Sequence, residues 1–265
     1  MPKLFNQLGF TLTEVLIVIS ITVLIIVVIC SAFVFNQRAY RDGEMAAEIL
    51  QNGRVVSERM VREIRQAKEI VTVLPEEKID PAQEVLFQDG HLPLISETDL
   101  AQEGNTSTIT LSLSSSDIND YYKDIFIKIT GGTGAGQIRK INSYNGQTKV
   151  AQLEGSWEII PVSGSTYKID SSYYYIHYYR DESNNIWRRI IAYYFFGDSN
   201  TFVPWNAIPP QDQTIQTQIL ENPRVIGEYV TNLEFWGIRL INISLTLEKQ
   251  EKQVDFSTKV FGRNL

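Results

Sequence analysis

The stretch GFTLTEVLIVISITVLIIVVICSAFVF, residues 9–35, decides how the rest of the chain is organised. It contains one acid, Glu14, and residues 15–37 carry no charge at all. As a helix, at about 1.5 Å per residue, this charge-free run would extend roughly 34 Å. Because the hydrocarbon core of a bilayer is roughly 30 Å thick, the run is long enough to cross it. The sequence therefore predicts a membrane-spanning helix close to the N-terminus.

The segment before this run is short and polar, with Lys3 as its one charge. A secretory signal peptide is cleaved after its apolar run, at small residues. Here the better cleavage position lies before the run, between Gly9 and Phe10. We therefore expect the apolar segment to remain in the mature protein.

The sequence MPKLFNQLG followed by FTLTEVLIVISI resembles the class III leader of type IV prepilins and type II secretion pseudopilins. The resemblance implies that a prepilin peptidase removes residues 1–9 and methylates the new N-terminus, Phe10. The acid of the family motif corresponds to Glu14, which would pair with the amine of a neighbouring subunit and set its axial register. The alternative is an ordinary N-terminal membrane anchor.

The segment after the apolar run predicts a second, amphipathic half of the same helix. Apolar or small residues recur at spacings of three and four, namely Met45, Ile49, Gly53, Val56, Met60, Ile64, Ala67 and Val71. Many major pilins carry a kinking Pro where this chain has Ser31, and residues 10–74 contain no Pro, so we expect a continuous helix ending before Pro75. Its basic residues alternate with acids, which favours a solvated face over a DNA-binding stripe.

Composition narrows the class further. The net charge is −7, which argues against nucleic acid as a partner. Cys30 is the only cysteine and lies inside the apolar run, so no intramolecular disulfide can form.

Residues 105–170 have a different character, with short alternating segments and turn signals about every ten residues. Asn145 and Gly146 form a strong hairpin-turn pair. The pattern predicts a small β-barrel or β-sandwich, and its GTGAGQ-R-I core resembles a small all-β module of phage tails and other surface proteins. The glycine-rich GGTGAGQ is not a phosphate loop, because Gln137 and Ile138 stand where Lys and Ser or Thr are required. We expect it to form a tight hairpin.

Residues 171–265 predict further antiparallel strands. A Tyr-rich strand and an IWRRI strand form one hairpin around residues 181–185, and two alternating strands form a last hairpin around residues 248–252. A loop is expected at residues 200–218 and a short helix at residues 223–230. The strands, VIGEYVTNLEFW and the final VFGRN resemble the minor pilin W and minor pseudopilin J group.

The fold class expected is therefore α+β, with a long N-terminal helix packed on an antiparallel sheet domain. The predicted division is a leader at 1–9, a pilin helix at 10–74 with its membrane span at 10–35, and a pilin-type β domain at 75–104 and 171–265. The small β module at 105–170 would be an insertion in that domain.

Four aromatic residues are candidates for a ligand-binding surface, Trp157, Tyr173, Tyr175 and Trp205, against the alternative that they are packing residues of the sheets. His91 and His177 lack metal-ligand spacing, and no GxSxG motif occurs. We predict no enzyme activity, no cofactor and no metal.

The resemblance implies a minor pilin at or near a filament tip, which primes assembly or presents an adhesive domain. The expected partners are the prepilin peptidase, major and minor pilins, the inner-membrane assembly platform, membrane lipid before extraction, and a surface ligand. The expected location is the inner membrane, single-pass with the C-terminal domain outside the cytoplasm, and then the filament. The alternatives are a secretion or competence pseudopilus and a membrane-anchored adhesin.

Overall fold

A computed structural model describes residues 11–211 and 213–262, and the chain divides into two units, Met1–Gln51 and Asn52–Leu265. Helix α1, Leu12–Gln66, runs without a break through Ser31, so the expected continuous helix is confirmed. The hydroxyl of Ser31 donates to the carbonyl of Val27 at 2.8 Å, which satisfies this polar group inside the helix. Within the described residues, α1 is the one helix long and apolar enough to cross a membrane.

The C-terminal end of α1 differs from the prediction. The helix was expected to reach residue 74, but it ends at Gln66. The amide of Lys68 donates to the carbonyl of Gln88 at 3.1 Å, and Glu69 and Ile70 pair with the next strand. The apolar residues Ala67 and Val71 prolonged the helical pattern, although the backbone here already bonds to the sheet.

Sixteen strands occur in the described residues, and they form three antiparallel sheets. The six-stranded sheet contains β1 (Glu69–Ile70), β2 (Glu84–Gln88), β10 (Tyr175–Arg180), β11 (Ile186–Phe195), β12 (Asp198–Val203) and β13 (Ile215–Gly227). The three-stranded sheet contains β14 (Val230–Trp236), β15 (Leu240–Lys249) and β16 (Lys252–Phe261). The seven-stranded sheet contains β3 (Ser96–Leu100), β4 (Glu103–Gly104), β5 (Thr108–Thr110), β6 (Phe126–Gly131), β7 (Ile138–Asn145), β8 (Val150–Glu154) and β9 (Thr166–Asp170). The α+β class with one long apolar N-terminal helix and antiparallel sheets is thereby confirmed.

Residues 52–66 of α1 pack on two of these sheets. Val56, Met60 and Ile64 are almost fully buried, as the amphipathic pattern predicts. A Cβ atom on Gly53 would lie 2.1 Å from the ring of Phe256 in β16. Because the two surfaces approach this closely, glycine is required at that point of the helix.

The seven-stranded sheet closes on itself. The order runs from β3 through β9, β6, β7, β8 and β5 to β4. The two residues that join β3 to β4 connect the two edges of the sheet. The amide of Ala101 donates to the carbonyl of Ser165, just before β9, and the amide of Gln102 donates to the carbonyl of Thr110 in β5. The core inside contains Ile127, Ile129, Ile141, Leu153, Tyr167 and Ile169, all buried.

This sheet begins earlier than the sequence analysis placed it. Residues 75–104 were assigned to the pilin-type β domain. However, β3 lies within this range and pairs with β9, with Ser96 opposite Asp170. The strand reads Ser-Glu-Thr-Asp-Leu and has no fully buried side chain, so it lacks the apolar alternation that marks a strand. The two hairpins that turn chemistry predicted in this region are confirmed, at Asn145 and Gly146 and at the glycine-rich segment, where Gly132 and Gly134 have positive φ.

In the C-terminal region the hairpins β10–β11 and β15–β16 are confirmed. The short helix expected at residues 223–230 is wrong, because β13 continues to Gly227. The expected loop at 200–218 is also shorter, since β12 ends at Val203 and β13 begins at Ile215. Pro223 fits β13 because, among the described strands, β13 pairs only with β11, and a proline is tolerated at an edge.

Candidate functional site

The start of α1 holds Glu14, the predicted assembly residue. The backbone amide and the hydroxyl of Thr11 donate to Oε2 of Glu14 at 2.9 and 3.0 Å, and the amide of Glu14 donates back to the Thr11 hydroxyl at 3.3 Å. This reciprocal pattern is a capping box, which satisfies backbone donors at a helix N-terminus. The sequence analysis missed it, although Thr-x-x-Glu before an apolar run is its signature.

The capping box holds the carboxylate at the first turn of the helix. No hydrogen bond to Oε1 of Glu14 occurs within residues 11–211 and 213–262, so that oxygen is available to a cationic partner. Thr11 follows the predicted cleavage position, and the cap would therefore persist in a processed chain. The two processing residues, Gly9 and Phe10, lie outside the described residues.

The four aromatic candidates do not form one surface. Trp157 is 5% exposed and lies beneath the guanidinium of Arg139, whose carbon is 5.6 Å from the ring centre. Tyr175 is 1% exposed, and its hydroxyl accepts a hydrogen bond from the amide of Trp205 at 3.0 Å. The structure therefore places Trp157 and Tyr175 at packed, buried positions and not on an open surface. Tyr173 and Trp205 are half-buried.

Gln137, the last residue of the glycine-rich motif, has a structural role. The amide nitrogen of the Gln137 side chain donates to the carbonyls of Gly134 and Ile159, at 3.0 and 2.7 Å. Its oxygen accepts from the amides of Glu158 and Ile159, at 2.8 and 3.2 Å. One side chain thus fastens the hairpin to the segment that follows β8, which explains the motif without a ligand.

A buried charge cluster fastens α1 to the six-stranded sheet. The Arg188 side chain is 8% exposed, and it donates to Glu63 of α1 at 3.0 Å and to Glu221 of β13 at 2.7 Å. The hydroxyl of Tyr178 donates to the same Glu63 oxygen at 2.6 Å. Burial alone would lower the pKa of Arg188. The negative charges of Glu63 and Glu221 outweigh this effect, so the pKa is raised and the guanidinium stays charged. This cluster has a structural role.

The opposite face of the same sheet carries a second polar group, which we name the Arg189 cluster: Glu84, His177, Tyr179, Trp187 and Arg189. Since side chains alternate along a strand, these residues point away from Glu63, which Tyr178 and Arg188 contact. The Nε of Arg189 donates to Nδ1 of His177 at 3.1 Å. The guanidinium lies 5.2 Å from the ring centre of Tyr179.

The imidazole is the centre of this cluster. Nε2 of His177 lies 2.9 Å from a carboxylate oxygen of Glu84. Burial lowers the pKa of His177 despite the hydrogen bond to Glu84. Since the Nε–H of Arg189 can only donate, Nδ1 of His177 is the acceptor, and the ring carries its proton on Nε2, which donates to Glu84. The sequence analysis treated His177 as structural and did not single out Arg189.

Residues 11–211 and 213–262 contain no group of three or more His, Cys, Asp or Glu side chains placed to hold a metal ion.

Comparisons with known proteins identify no relative of this chain. No protein-family model, no curated protein and no solved structure matches the chain.

Proposed function

We propose that this chain is a minor pilin, processed by a prepilin peptidase and assembled at or near the tip of a type IV pilus. The observation that carries the proposal is the start of α1, where a single carboxylate is held by a capping box in front of the charge-free run of residues 15–37. The side chains of residues 11–44 are exposed, and large apolar ones dominate as far as Phe35. An apolar helix of this kind needs lipid or other helices around it.

The mechanism proposed for Glu14 is pairing with a cationic N-terminal amine of a neighbouring subunit. A carboxylate in a bilayer is costly, at about 2.5–3.5 kcal/mol on insertion scales for the helix centre, and such groups usually have a partner. Thr11 occupies one carboxylate oxygen and leaves the other free among the described residues. The capping box would thus orient the carboxylate before the partner arrives.

The test is incorporation into filaments of a Glu14→Ala variant, with its peptidase and partner pilins present. Sheared filaments are collected, and the amount of this subunit per filament is measured by quantitative immunoblotting. We expect at least a tenfold fall, since losing about 1.4 kcal/mol of association energy already gives a factor of ten. Asp42→Ala, which removes an exposed acid further along α1, should be incorporated normally. Equal incorporation of both variants would count against the pairing.

The seven-stranded sheet suggests why this subunit would be a tip subunit. Ser96 and Asp170 are paired neighbours, so the chain leaves this sheet next to the point where it enters. Adjacent ends are what an insertion into an existing domain requires. A closed β structure of this size is difficult to repeat along a tightly packed shaft but can be accommodated at an end.

A pseudopilus of a secretion or competence system is the alternative assembly, and the same helix chemistry would serve it. An adhesive role for the inserted sheet is separable by deletion of residues 96–170, the bounds that the pairing of Ser96 with Asp170 indicates. Filaments without surface attachment would favour adhesion. Loss of filaments would mean that the insert is architectural.

A further inference from the structure

The Arg189 cluster contains a cation that is held in place without an acidic partner among the described residues. Nε of Arg189 is bonded to His177, and the guanidinium is stacked on Tyr179. No carboxylate of the described residues bonds to its two terminal nitrogens. By contrast, Arg188, its neighbour in β11, is held by two carboxylates. A guanidinium that is oriented but not neutralised is prepared for an external anion.

The placement of Glu84 is what leaves this cation uncompensated. Glu84 is the one acid of the cluster, and its bond is to the far nitrogen of His177, not to Arg189. The Tyr179 ring lies 4.9 Å from the His177 ring, centre to centre, so the imidazole is held on both its edge and its face. The donors of Arg189 are therefore positioned in advance, which reduces the entropy lost when a ligand binds.

Aromatic side chains continue the surface beside this cation. Trp187 stands directly opposite Tyr179 across β10 and β11, and Val225 of β13 follows Trp187 in the same row. The indole Nε1 donates to Asp181 at 2.7 Å, which fixes the orientation of the ring. Val225 is 41% exposed. Tyr179, Trp187 and Val225 thus form a partly apolar row beside Arg189, and the two terminal nitrogens of a guanidinium can donate together to one anion.

We propose that the Arg189 cluster binds an acidic saccharide, with a sugar carboxylate on Arg189 and the apolar face of a sugar ring on Trp187. A planar guanidinium matches a carboxylate with two parallel hydrogen bonds. The neighbouring row provides an aromatic, apolar surface on which a sugar ring can pack. An acidic side chain of a peptide has no ring to place there. This binding is independent of filament assembly, so it can hold or fail separately from the pilin proposal.

The test uses the full chain in lipid nanodiscs and isothermal titration calorimetry. The probe is a hexamer of galacturonic acid. Its fully methyl-esterified form keeps the sugar rings without charge, and hexaglutamate keeps the charge without sugar rings. We expect the acidic hexamer to bind and both controls to bind at least about tenfold more weakly, because hydrogen bonds to charged groups and ring contacts each contribute on this scale. Equal binding of either control, or no binding of any probe, overturns the proposal.

Variants then locate the site. Arg189→Gln should lose at least about tenfold in affinity for the acidic hexamer, the amount expected for one charged hydrogen-bonding partner. Arg239→Gln removes the same charge at an exposed position elsewhere and should bind as the unaltered chain does. Trp187→Leu keeps Arg189 and should also bind more weakly. Thermal unfolding is measured for all three, and unchanged affinity in a folded Arg189→Gln chain contradicts the assignment.

Discussion

Replacing Glu63 by Ala tests how α1 is fastened to the six-stranded sheet. Glu63 accepts hydrogen bonds from Arg188 and Tyr178, and its side chain is 17% exposed. The change leaves the buried guanidinium with one carboxylate, that of Glu221, and leaves the Tyr178 hydroxyl without its acceptor. A matched control is available on the same helix, because Glu58 is 65% exposed and pairs with Arg54 four residues before it.

The free-energy costs expected for Glu63→Ala and Glu58→Ala differ by nearly an order of magnitude. Removing one partner of a buried ion pair costs about 3–5 kcal/mol, and we expect the lower end because Glu221 remains. Removing one partner of an exposed i,i+4 pair costs about 0.3–0.5 kcal/mol. For a folded unit of this size, about 1 kcal/mol lowers the melting temperature by roughly 2–4 °C. Glu63→Ala should therefore lower it by roughly 6–12 °C and Glu58→Ala by about 1–2 °C.

The assay is thermal and urea unfolding of the full chain in detergent micelles, followed by tryptophan fluorescence. All four tryptophans lie in the unit Asn52–Leu265, so the signal reports on the sheets and the helix segment packed on them. Glu63→Gln keeps an acceptor oxygen without the charge and should fall between the two alanine variants. If Glu63→Ala and Glu58→Ala shift the melting temperature equally, the buried cluster does not stabilise the docking of α1.

Two further predictions use single residues. Gly53→Ala should lower the free energy of unfolding by about 1–3 kcal/mol, because its Cβ would meet the ring of Phe256, whereas Gly43→Ala, with open space around it, should raise helix stability by up to about 1 kcal/mol. Urea unfolding and circular dichroism of the two variants check this, and shifts of the same sign would contradict it. The hydrogen bond to Asp89 raises the pKa of His91, so its stabilising effect is complete below about pH 6.5 and is lost as pH rises through the folded-state pKa. The stability difference between the unaltered chain and His91→Gln should shrink as pH rises, and a difference independent of pH would exclude this role.

Two elements could be predicted from local sequence alone, the long N-terminal helix and the hairpin after Asn145. The unbroken helix follows from a charge-free run without proline, and the hairpin after Asn145 follows from an Asn-Gly turn signal, although the positive φ of the turn falls on Lys149. The end of α1 could not be placed in this way. Lys68 bonds to Gln88, and such a long-range pairing leaves no periodic signal in the residues before it.

The burial of the aromatic candidates could not be predicted for a similar reason. Alternation shows that Tyr175 and Trp187 lie on a sheet, but the sequence does not say which part of that sheet another segment covers. Tyr175 is covered because the amide of Trp205, from a loop thirty residues away in the chain, bonds to its hydroxyl. Arg189 gains its orientation from β10, and the register of two strands decides that His177 stands opposite it. The capping box at Thr11 and Glu14 is different, since its signature was present in the sequence.

The most direct test of the pilin proposal is the mass of the intact chain and of its N-terminal peptide. The chain is isolated from membranes of cells with and without the prepilin peptidase. The proposal predicts loss of residues 1–9 and one added methyl group on Phe10, only where the peptidase is present. A chain that keeps Met1, or one cleaved after the apolar run, would contradict it and leave Glu14 without its proposed partner.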